Sequence, residues 1–511
     1  MTADPSPRDP TRSAVTLAAA ALFVVLALRM GWVSDDAFIA FRAASNLVTG
    51  FGFSSNPGER VQAFTSPLFT LLVAAAFAVV RDIYLVAVGL GLLCTLGVAL
   101  VLTLRRDGAL GSPLALVLLA SSHSVLSFST SGLENPLAHL LIVTFVVERL
   151  RPEPSRWRSM ALAGLIALNR LDHLLLVAPV LLWDLTQACR RREWRRFGWP
   201  LAVGLSPLVS WLSFAIVYYG FPFPNTAYAK LNLAIPRSTM IFQGITYFVD
   251  ATLRDPISII VIALCGVFAW QLRRRHPVAP WLAAGVLLYV GYVVWVGGDF
   301  MGGRFFTTPY VVAAVLVAER LALGGAVPVG AAAAVALLAG RTGLDPMPVD
   351  VRPGCVVPPS GIVDERACYV EHTGIAQNLR KKKYMTHPYY KKGDSFRKET
   401  GPIINNLIGM AGFSAGPTVH VLDEFALSDP LLARIRFAAP NDFRIGHFRR
   451  TLPAGYLESL RSGENRIEDP CVHRLWDELR AVIAGPVFSR HRFAAILSLN
   501  FGRGTCPAPA R

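Results

Sequence analysis

Charge is scarce in this chain. Only 16% of the 511 residues are Asp, Glu, Lys or Arg, against about 25% in an ordinary soluble domain, while 53% are hydrophobic. So few charges cannot solvate the surface of a water-soluble protein this long, which excludes a plain cytosolic enzyme. Acidic residues are the scarcer sign, 34 against 50 Lys and Arg, leaving a net charge of +16. Cysteine is sparse as well: the seven thiols show no Cys-x-x-Cys spacing, so a structural zinc site has no recognisable ligand set. No internal repeat of fixed period is visible. No small-x-small cleavage site follows the first apolar run, which favours a membrane span there over a cleaved signal peptide despite Arg8 and Arg12 ahead of it.

What the chain has is long apolar runs, and they are unevenly placed. They crowd into residues 13–340, whereas 341–511 reads as polar globular sequence. The basic excess would suit a nucleic-acid binder, but the clusters fall between apolar runs, as cytoplasmic loops of membrane proteins do. No nucleic-acid partner is expected. Spans are read at 14–33, 83–104, 112–128, 135–149, 159–170, 172–188, 199–218, 256–272, 279–297, 304–320 and 323–340, about eleven in all. If 67–80 is re-entrant or interfacial, starting at Pro67, then Arg105-Arg106, Arg149–Arg158, Arg190–Arg196 and Arg273–Arg275 all lie on one side.

The fold class expected is therefore an all-α polytopic membrane bundle over 1–340, with an outer loop at 34–66, and an extracytoplasmic α+β soluble domain over 341–511. The N-terminus is placed in the cytoplasm. An even set of cysteines in the soluble domain, Cys355, Cys368, Cys471 and Cys506, suits two disulfides outside the cytoplasm. Sequence proximity favours Cys355–Cys368 and Cys471–Cys506. Arg380 to Lys383, followed by Tyr384, Tyr389, Tyr390, Lys391 and Lys392, is a solvated loop or a contact for membrane lipid headgroups or a polyanionic glycan.

Polar residues that interrupt apolar runs are expensive at membrane depth and invite a functional reading. Five such segments fall on the outer face under this topology. The first, after the opening span, holds Asp35 and Asp36 and continues to Arg42. The two carboxylates could cap the next helix, or serve as a general base or metal ligand, with Arg42 reaching a phosphate. The second, Ser131-Gly132-Leu133-Glu134-Asn135-Pro136, puts Glu134 at a helix start. The third, Asn169-Arg170-Leu171-Asp172-His173, is either a local Arg170–Asp172 ion pair or part of a site. The fourth places Asn225 and Lys230 among prolines and aromatics. The fifth, Gly297 to Phe305, flanks four glycines with Asp299 and Arg304; the glycines allow a close backbone approach to a ligand. Arg and Lys suit an anionic lipid phosphate, and an aspartate suits the proton of an attacking hydroxyl.

In this order the segments resemble the GT-C class of membrane glycosyltransferases that use polyprenyl-phosphate sugars, and especially the cell-wall terminal arabinofuranosyltransferases. The resemblance rests on DDAFIAFRAASNLVTGFGFSSNPGERVQAFTSP from Asp35, on SGLENP, LNRLDH, FPNTAYAK and GGDFMGGRF, and on Leu422–Pro430 and Arg444–Arg450 in the soluble part. It implies a GT-C-like fold, a bacterial cytoplasmic (inner) membrane as the location, a polyprenyl-phosphate sugar donor, an extracytoplasmic glycan or glycoprotein acceptor, and a catalytic aspartate in the first outer loop. That role falls on Asp35 as general base with Asp36 orienting it, and a divalent cation on the pair is a further option. Arg42, Arg170, Asp172, His173, Asn225, Lys230, Asp299 and Arg304 are the expected donor-binding residues, and Glu134, Asp423, Glu424 and His447 the expected acceptor contacts. The third segment departs from the family pattern, with Leu171 in place of Pro and His173 in place of Gly. Two other classes remain: a transporter or flippase, expected to hold its charges near the midplane on broken, repeated helices, and an envelope or motility assembly protein, which would tolerate loss of Asp35 and Asp36.

Overall fold

The computed structural model describes residues 10–105, 111–339, 357–381, 385–399, 401–438, 443–502 and 504–507. Helix dominates it, and each apolar run expected to span carries one, from Pro10–Arg29 and Ile83–Thr103 to Thr307–Ala322 and Ala326–Ala339. Five described helices are long and apolar enough to cross a membrane. A sixth arises if Arg237–Arg254 and Pro256–Leu272, bent by 112° across Asp255, act as one broken span. Residues 67–80 also form a helix, of 14 residues, with Pro67 at its first turn. Along Pro256–Leu272 the outward side chains are Ile260, Leu264, Val267 and Trp270, each 40–60% exposed. Apolar stripes of this kind, repeated on Ala279–Val296 by Leu287, Leu288 and Trp295, have lipid as their natural cover, so the protein is membrane-embedded.

The chain divides into two compact units. The first comprises 1–33, 87–206 and 241–380. Its centre is Thr307–Ala322, in which every residue from Thr307 to Glu319 is buried, as a helix ringed by helices must be. Small residues let the surrounding helices meet backbone to backbone: a Cβ on Gly164 would overlap the Gly204 carbonyl, and one on Gly285 the Leu176 carbonyl. At the end of the first helix Trp32 is fully buried, donates its indole N–H to the Ser127 carbonyl at 2.7 Å and stacks on Tyr369. Asp255 gathers the hydroxyls of Ser122 and Ser258 and the Ser124 N–H at 2.8–2.9 Å, tying the helix bend to a neighbouring helix start.

The second unit comprises 34–86, 207–240 and 381–511. Its core joins Val61, Phe221 and Ala229 to Leu422, Leu431, Tyr456, Trp476, Leu479 and Val482. The compact units thus divide the chain differently from the 340/341 boundary read in the sequence. Residues 357–380 pack with the first unit, while the outer loop packs with the C-terminal part, because its apolar side chains find their cover there. Among the described residues the sheet content of the C-terminal part is one parallel pair, Ile403–Ile404 with Val421–Leu422, and isolated bridges. Its loops are held mainly by side chains bonding to backbone. Cys471 and Cys506 are joined as expected; the Cys355–Cys368 pairing and Lys382, Lys383 and Tyr384 of the basic run lie outside the described residues.

The Gly164 crossing is testable in detergent. Gly164→Ala is expected to lower stability by about 1–3 kcal/mol through overpacking, read as a lower melting temperature, whereas Gly198→Ala, whose Cβ would meet nothing within 4 Å, should leave it unchanged or raised.

Candidate active site

Three of the five segments converge within the first unit. Glu134 precedes helix Asn135–Arg149 but makes no side-chain cap. One of its oxygens instead accepts from Arg170 at 2.6 Å and from Arg304 at 2.9 Å. Arg170 also grips Asp172 through two N–H groups at 2.9 and 2.7 Å, so the local ion pair exists and is only one edge of a larger network. Arg304 reaches Asp299 at 3.5 Å and donates to the side-chain Oδ1 of Asn135 at 3.3 Å, and the Tyr289 hydroxyl donates to Asp172 at 3.3 Å. Phe305 lies under both guanidiniums. His173 is buried with its ring edge against Tyr289.

Charge and exposure divide this network. Its acids are Glu134, Asp172 and Asp299 and its guanidiniums Arg170 and Arg304, so the set is internally compensated with one carboxylate in excess. The Arg170–Asp172 edge is the open one, 14% exposed at each side chain, against 5% for Glu134. Carboxylates on such an edge can accept sugar hydroxyls, and a guanidinium there can exchange a partner for a phosphate oxygen. The glycines of the fifth segment serve a different approach from the one expected: Gly298, at φ +74°, sits against the Tyr247 ring, where a Cβ would come within 2.5 Å.

Asp35 lies in the second unit. It is buried, and its carboxylate accepts one backbone N–H, from Met410 at 2.7 Å. Gly409 is demanded by this contact, since a Cβ there would meet Asp35 Oδ2 at 2.5 Å. Burial, with a smaller push from Asp36, raises the Asp35 carboxyl to about 7 against the pull of the Met410 N–H. Asp36 is half-buried at the start of helix Ala37–Thr49 and makes no side-chain cap there. Among the described residues no group of three or more His, Cys, Asp and Glu side chains could hold a metal ion.

Other expected binding residues are placed differently. Arg42 is buried and gives one nitrogen to the Gly416 and Val419 carbonyls, at 3.2 and 2.6 Å. Asn225 donates to the carbonyls of Ala426, Leu427 and Asp429 and accepts from Arg434, a clamp on a loop. Lys230 is exposed near the end of helix Asn225–Leu231. Asp423 is wholly buried, its oxygens accepting from the N–H groups of Phe425, Leu427 and Ser428, so it is a turn-former and not a surface contact. Glu424 pairs with Arg449 at 2.8 Å and with Asn406. The His447 ring meets Phe425 edge-on, and burial with the nearby Arg444 charge lowers it to about 4.

Sequence reasoning misses a pair of acids in the second unit, Asp429 buried and Glu59 half-buried. Glu59 is pushed up to about 7 and Asp429 to about 6, burial being the main cause, with Glu59 adding to the rise at Asp429. Asp429 accepts from the Leu432 N–H and the Tyr456 hydroxyl, both at 2.8 Å. Both residues lie inside motifs quoted above, but nothing in their local spacing marks them as neighbours.

No family model matches the sequence. The chain is 26% identical to the terminal β-(1→2)-arabinofuranosyltransferase of Mycobacterium tuberculosis, over 90% of both chains. The resemblance read in the motifs therefore holds along the chain. A protein of the same name from Corynebacterium glutamicum is also 26% identical, over 54% of this chain and 46% of that one. Among solved structures, a crystal structure of ArnT from Cupriavidus metallidurans bound to undecaprenyl phosphate superposes loosely, with a TM-score of 0.48, 13% identity and coverage of 81% and 86%.

The roles of Asp423 and Glu424 separate by stability. Asp423→Ala strands buried N–H donors and is expected to cost about 2–3 kcal/mol, whereas Glu424→Ala, which loses a largely exposed partner, should cost under about 1 kcal/mol. Equal losses on thermal unfolding would overturn the assignment of Asp423 to turn formation.

Proposed function

We propose that this protein is a membrane glycosyltransferase of GT-C type that transfers a sugar of the arabinofuranose class from a polyprenyl phosphate to a glycan or glycoprotein acceptor outside the cytoplasm, with Asp35 as general base. The relationship to arabinofuranosyltransferases over 90% of both chains supports the class of reaction and the sugar. The observation that carries the role of Asp35 is a buried carboxyl, raised to about 7 and held by a single N–H. Such a group is ionised in part at neutral pH and still basic enough to take a hydroxyl proton, the compromise a general base requires.

In the proposed reaction the acceptor hydroxyl loses its proton to Asp35 as its oxygen bonds the anomeric carbon. The bond from that carbon to the phosphate oxygen breaks, and the lipid monophosphate leaves with the electron pair. Asp36 supports the orientation and basicity of Asp35. Arg170 and Asp172 are the proposed donor-binding residues, Arg170 exchanging Asp172 for a phosphate oxygen and the freed carboxylate accepting from a sugar hydroxyl. The proposed location is a bacterial cytoplasmic membrane, with the N-terminus inside and the C-terminal part outside.

Asp35→Asn is expected to lower turnover about 10²–10⁴-fold with polyprenyl-phospho-arabinofuranose, tested beside other polyprenyl-phosphate sugars, while the variant still folds. Wild-type turnover by this variant would sink the base assignment, and loss of turnover on chelation would show dependence on a divalent ion. Because the base must be ionised, the wild-type rate should fall as pH drops through about 7. Stability carries the opposite sign. A carboxyl raised from 3.8 to about 7 favours the folded state in its protonated form, so that contribution is full at low pH and is lost as pH rises through about 7. Asp35→Asn should therefore melt no lower than wild type at pH above about 7.

A further inference from the structure

The first unit carries a recess that the proposed reaction does not use. It is a shallow depression, open to the surface, where two helices begin, Arg156–Asn169 and the one opening at Trp194. Arg156, Trp157, Arg195, Arg196, Trp199 and Pro200 line it. Under the topology read from the sequence it faces the cytoplasm. The helices are fastened together beneath it by Phe197 packing on Met160 and Ala188 and by the Gly164–Gly204 approach, so the recess is a fixed feature of the fold.

Two properties mark it as more than a charged loop. Glu193 bonds Arg156 at 2.9 Å and Arg196 at 3.2 Å, holding two guanidiniums beside one carboxylate. With Arg195 the recess has three cations to one anion, and the N-terminal dipoles of both helices add to the positive field. Its other wall is aromatic: Trp157 is 54% exposed and Trp199 is 66% exposed. Ordinary solvent-facing loops do not display indoles at this level. Paired with arginine at the end of membrane helices, they are the residues that settle at the headgroup layer. A general excess of inside charge accounts for Arg190, Arg191 and Arg192, but not for indoles and guanidiniums set around one recess.

We propose that this recess binds the headgroup of an anionic phospholipid of the cytoplasmic leaflet, the guanidiniums holding the phosphodiester and the indoles lying against the glycerol and upper acyl chains. This recess shares no lining residue with the proposed donor-binding pair Arg170 and Asp172 and is independent of the proposed reaction. It would anchor the starts of both helices to the inner leaflet.

The test is native mass spectrometry of the full-length protein in mild detergent with equimolar phosphatidylglycerol and phosphatidylethanolamine of matched chains. Wild type is expected to retain phosphatidylglycerol at least about tenfold over phosphatidylethanolamine. Combined Arg156→Gln, Arg195→Gln and Arg196→Gln should abolish the preference, and Arg190→Gln, Arg191→Gln and Arg192→Gln, which remove equal charge beside the recess, should keep it. Equal retention of the two lipids, an unchanged preference in the first variant, or an equal loss in both would overturn the proposal. Displacement of the lipid by millimolar inorganic phosphate would also overturn it, in favour of a simple anion site. Should the first variant fail to fold, brominated phosphatidylglycerol must quench wild-type tryptophan fluorescence more than brominated phosphatidylethanolamine and lose that excess in Trp157→Phe/Trp199→Phe; equal quenching overturns the proposal.

Discussion

One carboxylate shared by two guanidiniums organises the first unit. Glu134 is buried, and its ion pairs with Arg170 and Arg304 join chain segments more than thirty and more than a hundred residues away. Removing charge from water costs several kcal/mol per ion unless partners compensate it. Glu134 is the member that joins the two halves: without it Arg170 would keep Asp172 and Arg304 would keep Asp299, but nothing would bridge the two guanidiniums. The two guanidiniums keep Asp172 and Asp299 in place, and with them the edge of the network that is most open to solvent.

The second unit handles its buried acids differently. Asp35, Asp423 and Asp429 are held by N–H and hydroxyl donors rather than by cations, and each is pushed up toward neutrality. Dipoles lower a carboxyl's pKa less than a full charge does, so burial wins. Among these acids Asp423 accepts three backbone donors and Asp35 one. The difference separates a carboxyl spent on holding a turn from one left able to take a proton.

Much of this architecture is legible in the sequence. Continuous apolar runs locate the helices, and the interruptions at Glu134, Arg170–His173 and Asp299–Arg304 stand out as polar residues needing a reason. Their reason is one another, which spacing along the chain does not reveal. Arg42 and Asn225 show the limit from the other side: both have the chemistry to bind a ligand, yet both bond loop carbonyls in the C-terminal part of the chain. Glu59 and Asp429 escape a sequence reading because a lone acid in a turn carries no local signal, and only burial beside another acid makes it unusual.

Hydropathy, charge asymmetry and motif order by themselves determined that this is a membrane protein resembling polyprenyl-phosphate-dependent glycosyltransferases, because lipid solvation is read residue by residue along the chain. Tertiary structure decided which charges neutralise one another, which carboxyl keeps a pKa near neutrality, and which C-terminal segments complete which unit. Those are properties of distance and burial between residues up to hundreds of positions apart. Coulombic and desolvation energies depend on that distance and burial, and a linear sequence contains neither.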